Sequence, residues 1–341
     1  MPRSNNFDVL RLAFASMVVL FHCYDLSLEP ALNWVPHICS AQLAVEGFFA
    51  MSGCLIVSSY ENSSSLGSYL EKRARRILPA YWLALLFTLL IGVTFSTLPP
   101  SAFLRSSDTW KYTLANLGFL NFIHPNLPGL FTQNQAMDAV NGSLWTLKVE
   151  VMFYLFVPVL VWLCRRFGRW QTLTAVCLFS LAFRYACERL HHDRLLLQLP
   201  AQLGFFAIGA FVYYYYPKLV NHRRWVWTVA ALGYAAYIAS GSMVFRVIGV
   251  SLLVMCAGLF LPALKRRPGA GDYSYGVYVL HFPVIQVVVS LGLFHAHPLL
   301  SLLLVGMIVS VLSYASWNLV EKRYLRASRR AQLSSAVAAS V

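Results

Sequence analysis

Ten runs of mainly apolar residues, each close to the length of a membrane crossing, follow one another along the chain. They lie at 7–26, 41–60, 78–96, 144–163, 171–188, 198–215, 225–241, 245–263, 273–293 and 298–318. A hydrocarbon core of about 30 Å is crossed by about 20 such residues in helical form. Lipid offers the backbone no hydrogen bonds, so spans of this kind must be helices that pair their own N–H and C=O groups. The chain is therefore read as all-α, a polytopic membrane helix bundle of about ten transmembrane helices. The first run has no small-residue cleavage site and is read as a span, not as a removed leader. Charged residues make up 12% of the chain, against about 25% in an ordinary globular domain. Hydrophobic residues reach 58% and the mean hydropathy is +0.60, more apolar surface than a water-soluble core hides.

Lysine and arginine set the orientation. With the N-terminus in the cytoplasm, nineteen of the 27 fall in inner segments, clustered at 72–76, 165–169, 218–224, 265–267 and 322–330. Six fall in outer segments: Arg105, Lys111, Arg184, Arg189, Arg194 and Arg246; Arg11 and Lys148 lie within spans. This is the asymmetry of the positive-inside rule, so the protein is expected to be multi-pass with both termini cytoplasmic. It also accounts for the net charge of +14, and with no basic stripe on a soluble fold nucleic acid is excluded as a partner. The seven cysteines are scattered without a CxxC pair, so neither a disulfide framework nor a metal site is expected.

The longest polar connection, 97–143, lies on the outer face and carries Pro99-Pro100, Pro128-Gly129 and Asn141-Gly142. Its length fits a lid or binding loop, and 112–123 within it reads as a re-entrant or interfacial segment. No internal repeat is present, so the inverted halves of many transporters lack support. Residues 1–325 read as one membrane domain and 326–341, rich in Ser and Ala, as a disordered cytoplasmic tail.

Ionisable side chains inside spans are costly and need a reason. The first span carries Arg11 and His22, eleven residues apart. That is three turns plus about 20°, so both lie on one face, about 16 Å apart along the axis, with His22 in the outer third. The second span contains Glu46-Gly47-Phe48-Phe49-Ala50-Met51-Ser52-Gly53, with Glu46 near the outer boundary and two glycines that permit close helix approach. Glu150, in the fourth span, is expected at about the depth of His22, and His281, in the ninth, nearer the middle. His22 and Glu150 suggest a pair in which a carboxylate orients an imidazole and raises its basicity. Charge balance within the bundle, or an ion path, would use the same residues. The basic run Lys72-Arg73-Ala74-Arg75-Arg76 has two readings as well: a topology signal touching anionic lipid, or a cytoplasmic site for a polyanion such as the phosphates of coenzyme A.

Five segments, in order, resemble the acyltransferase-3 family of integral-membrane O-acyltransferases. They are Phe7-Asp8-Val9-Leu10-Arg11-Leu12 continuing to His22, Phe48-Phe49-Ala50-Met51-Ser52-Gly53, and Arg73-Ala74-Arg75-Arg76-Ile77-Leu78-Pro79-Ala80-Tyr81-Trp82. Ser143-Leu144-Trp145-Thr146-Leu147-Lys148-Val149-Glu150 and Ser274-Tyr275-Gly276-Val277-Tyr278-Val279-Leu280-His281 complete the series. The resemblance implies a membrane enzyme of the bacterial inner membrane. Such an enzyme moves an acyl group, usually acetyl, from cytoplasmic acyl-CoA as co-substrate to a hydroxyl of a cell-envelope glycan or lipid-linked sugar, with no metal. It implies that His22 is the central catalytic residue, that Arg11 helps to bind or position the donor, and that the basic run at 72–76, with Arg73, Arg75 and Arg76, belongs to the coenzyme A entrance. From its placement, Glu150 is expected to fix the His22 tautomer and stabilise the imidazolium, and Tyr278 and His281 are counted with the donor residues. In this reading His22 is a general base or an acyl carrier.

Lys148 and Val151 depart from the family motif, where small, polar or acidic residues are usual. No counterpart of the extracytoplasmic hydrolase-like domain of many relatives is seen, so any second relay is expected from a separate protein. The rival reading is a proton-coupled transporter or flippase using His22, Glu46 and Glu150, which would leave acyl-CoA untouched. A non-catalytic scaffold gives the ionisable residues no purpose.

Overall fold

The computed structural model describes residues 5–137, 139–264 and 271–325. Among the described residues ten long helices occupy the ten predicted spans: α1 (Phe7–Ser27), α2 (Ala41–Glu61), α3 (Leu66–Phe95), α4 (Trp145–Phe167), α5 (Arg169–Arg189), α6 (Leu199–Leu219), α7 (Arg223–Ser240), α8 (Met243–Leu259), α9 (Ser274–Ser290) and α10 (Pro298–Ser316). No strand occurs among the described residues. The chain is a polytopic membrane helix bundle. Six helical stretches, which together carry α1–α4, α6, α7 and α10, are long and apolar enough to cross a membrane; α8 and α9 are apolar but shorter. The least apolar of the ten is α5, because it carries Arg169, Arg184, Glu188 and Arg189. Residues 326–341, read from sequence as a disordered tail, lie outside the described residues, as do Lys265, Arg266 and Arg267.

Two boundaries differ informatively from expectation. Helix α3 begins at Leu66, well before the apolar run, so the basic segment 72–76 is helical and continuous with the span. Ser65 starts it by accepting the Ser68 N–H at 3.1 Å, and Pro79 sits inside the helix without ending it. The 97–143 connection is not an extended loop. It folds into the helices Pro100–Arg105 and Ser107–Leu117, with Phe103 and Tyr112 buried.

The described chain divides into two compact units. One contains the start of α1, most of α2, the first turn of α3, α4 from Val149, and α5 to α8. Here α2 and α6 touch through backbone. A Cβ added to Gly53 would collide with the Phe206 carbonyl, and one added to Gly209 with the Ala50 carbonyl. This is how small residues let membrane helices approach. Pro158 leaves the Tyr154 carbonyl of α4 without its helical donor, and the Tyr69 hydroxyl supplies one at 3.0 Å.

The other unit contains α1 from Ala15, the α1–α2 connection, α3 from Glu71, the 97–143 segment, the first turn of α4, α9 and α10. Helices α9 and α10 pack on each other around Phe282, Ile285, Val288, Val305 and Val309, with Cys23 and Leu26 of α1 in the same core. The folded connection seats Phe103, Tyr112, Leu127 and Val140 against Leu85 and Ile91 of α3. The Tyr81 hydroxyl donates to the Asn116 carbonyl at 2.6 Å, fixing the end of the Ser107–Leu117 helix to α3.

Candidate active site

Helix α9 is locked before it presents anything. Pro283 has no N–H, so the Val279 carbonyl one turn earlier loses its helical partner. Asn141 Nδ2 replaces it at 2.9 Å, and Asn141 Oδ1 in turn accepts from Ser143 Oγ at 2.7 Å. One turn further along, Gln286 is fully buried, donating to the Met137 and Ala139 carbonyls at 2.8 and 2.9 Å and accepting from Asn134 at 2.6 Å. Tyr278, also buried, shares a 2.8 Å hydrogen bond with Thr146 in the first turn of α4. Left unpaired in hydrocarbon, each of these groups would cost several kcal/mol. Together they fix the rotation of α9.

On that helix stands His281, with 0% exposure. Its Nδ1 lies 2.8 Å from the Tyr278 carbonyl and 3.2 Å from that of Val277. Carbonyl oxygens only accept, so this nitrogen carries the proton and Nε2 presents a lone pair. Nε2 lies 2.8 Å from His22 Nδ1 on α1. The two rings are within 9° of parallel and their centres are 5.1 Å apart. The centre separation exceeds the nitrogen separation by about one ring width, so the imidazoles meet edge to edge in one plane, as an N–H···N bond requires. With His281 Nε2 accepting, His22 Nδ1 is the donor, and His22 Nε2 is left as the basic nitrogen. Phe282 braces the His22 ring edge-on at 5.2 Å. A neutral imidazole with one nitrogen tied and the other basic can take a proton from a hydroxyl or attack an acyl carbon.

The remaining sequence candidates fall into separate settings. Glu150 belongs to the first unit, where Ser52 Oγ donates to its Oε2 at 2.7 Å. Arg11 pairs with Asp8 one turn earlier on α1. In the basic run of α3, Arg75 pairs with Glu71 at 2.5 Å, and Arg76 with Asp272, just before α9, also at 2.5 Å. Arg76 further lies over the Tyr275 ring, and Asp272 accepts from the Ser274 hydroxyl. Arg73 shares the same partly buried turns of α3. The sequence placed His281 among the donor residues; the structure joins its ring to His22. Asn141, Thr146 and Gln286 were not singled out by sequence, although Pro283 inside a span was the signal that a neighbouring donor must exist.

Residues 4–317 match the acyltransferase-3 family, described as an acyltransferase domain. The chain belongs to that family. Among relatives, an O-acetyl transferase of Shigella phage Sf6 is 29% identical over 342 residues, covering 96% of this chain and 98% of its own length. Nodulation protein 10 of Rhizobium leguminosarum bv. viciae is 29% identical over 320 residues, covering 84% of each. O-acetyltransferase OatA of Staphylococcus aureus is 23% identical over 297 residues, and the match spans 73% of this chain but 46% of OatA. No solved structure matches. This acyltransferase-3 protein is thus a membrane O-acyltransferase.

Proposed function

We propose that this acyltransferase-3 protein moves an acetyl group from cytoplasmic acetyl-CoA to a hydroxyl of a cell-envelope glycan or its lipid-linked precursor, in a bacterial inner membrane. The observation that carries the reading is the chain from the Tyr278 carbonyl through His281 to His22, which leaves one basic nitrogen on a half-buried imidazole. The names of the phage and staphylococcal relatives supply acetyl as the group and oxygen as the acceptor.

In this mechanism His22 Nε2 removes the proton of the acceptor hydroxyl as its oxygen attacks the thioester carbonyl. The C–S bond breaks, and the coenzyme A thiolate leaves and takes up a proton. Acylation of His22 itself, followed by transfer, uses the same lone pair. His281 holds the tautomer in this scheme and so serves His22 in place of the donor. Glu150 is kept as the second catalytic candidate on the strength of its motif. Arg11, Arg73, Arg75, Arg76 and Tyr278 are assigned to the donor. Guanidiniums held by Glu71 and Asp272 can exchange a carboxylate for a phosphate without being left bare. His281 lies seven residues into α9, about 10 Å from its first residue along the axis. Phosphates at Arg76 and a reacting carbon at His22 therefore require a long, slender donor, which pantetheine is. Keeping water from the thioester suits a site inside a bundle.

The test is mass analysis of envelope glycans from cells with and without the protein, together with acetyl-CoA consumption by purified membranes. A gain of one acetyl unit with thioester loss is expected. Unchanged glycans and untouched acetyl-CoA would favour the transporter reading.

A further inference from the structure

Arg184 and Arg246, which the sequence counts with the outer segments, lie inside helices α5 and α8 of the first unit, with 6% and 8% exposure. Between them on α2 is Glu46, with 2% exposure. Arg246 Nε donates to both Glu46 oxygens at 2.9 Å, Gln42 donates to Oε1 at 3.1 Å, and a second Arg246 nitrogen donates to the Tyr237 hydroxyl. The carboxylate is therefore taken up by Arg246. Arg184 gives one hydrogen bond, to the Ala201 carbonyl at 3.2 Å, and its buried Nε has no partner among the described residues. Two guanidiniums share the buried Glu46 carboxylate; Glu188, one turn along α5, also acts on Arg184, but from an exposed position. The start of α6, where no side chain caps the helix, adds the positive end of its peptide dipoles. A buried excess cation is expensive in a bilayer unless an anion joins it.

We propose that this cluster is a binding site for an oxyanion of the acceptor, held by Arg184 beside the Glu46–Arg246 pair. The charge asymmetry of the loops assigns this end of the unit to the outer face, where the acceptor arrives, so the inference rests on the proposed glycan acylation. A planar guanidinium with an unpaired N–H suits a carboxylate or phosphate oxygen. An acidic sugar presents the first, and a lipid-phosphate carrier the second.

The experiment titrates the wild-type protein in phosphatidylcholine nanodiscs with sodium glucuronate, farnesyl phosphate and, as the uncharged control, farnesol, followed by calorimetry. Saturable binding of one anionic probe but not farnesol is expected, weakened by about tenfold in Arg184→Gln and less in Arg184→Lys. Glucuronate binding would point to a sugar acid, farnesyl phosphate binding to the lipid carrier. If Arg184→Gln does not fold, competition by sulfate on the wild type decides, and displacement of the bound probe is expected. No saturable binding, equal affinity in a folded Arg184→Gln, or indifference to sulfate overturns the site. Anion binding without acetyl-CoA consumption would sink the acylation reading and leave the site standing; acylation without anion binding would do the reverse.

Discussion

The imidazoles of His22 and His281 share one plane, with Nδ1 of the first 2.8 Å from Nε2 of the second, and the Tyr278 carbonyl decides which of them donates. From the direction of that bond follows the tautomer of His22, and from the tautomer its competence as a base.

If His281 acts by orienting His22, removing it should slow transfer without weakening donor binding. His281→Ala is expected to lower kcat by about 100-fold or more, the scale on which a mis-set base tautomer acts, with KM for acetyl-CoA little changed. His281→Gln, whose amide oxygen can accept near the Nε2 position, should recover part of the loss. A rise in KM with kcat intact would return His281 to the donor site.

Base catalysis by His22 fixes the sign of the pH response. The imidazole acts in its neutral form, so kcat/KM must climb as pH rises through its titration and fall on the acid side. A pH profile of acetyl transfer checks this, and a rate that is flat or rises towards acid would exclude the role.

Asn141 and Pro283 should be coupled. Asn141→Ala leaves the Val279 carbonyl bare, at a cost of about 1–3 kcal/mol, and should lower the thermal midpoint in nanodiscs. Pro283→Ala gives that carbonyl back its helical N–H, so the Asn141→Ala change should cost less in the Pro283→Ala background. Equal costs in both backgrounds would show that the amide is not replacing the helical donor.

The donor assignment predicts a split. Neutralising Arg73, Arg75 and Arg76 should raise KM for acetyl-CoA several-fold while kcat changes less, and added salt should have a smaller effect on the variant than on the wild type. Unchanged KM in steady-state assays would reject these residues as phosphate ligands.

Much of this was legible in the chain. Ten apolar runs became ten helices because in lipid the backbone has one way to satisfy itself. Gly53 proved a close-contact residue as its motif suggested. The folded 97–143 connection was less legible, since Phe103 read as a loop residue and Tyr112 as the edge of a re-entrant or interfacial segment until the surface of α3 is present to bury them. Arg184 and Arg246 look like outer-segment charges in a count, because hydropathy does not reveal that Glu46 is there to receive one of them. Within the site, His22 and His281 were each visible as costly residues inside spans. Their bond was not, because 259 residues separate them and only the rotation of α9, set by Asn141, Gln286 and Thr146, brings the rings into one plane.

The most direct measurement follows radiolabelled acetyl from acetyl-CoA into glycan, using purified wild-type and His22→Ala protein in nanodiscs at matched amounts and verified folding. Labelled glycan with the wild type and background levels with the variant are predicted. Label transferred at the wild-type rate by His22→Ala would contradict the account.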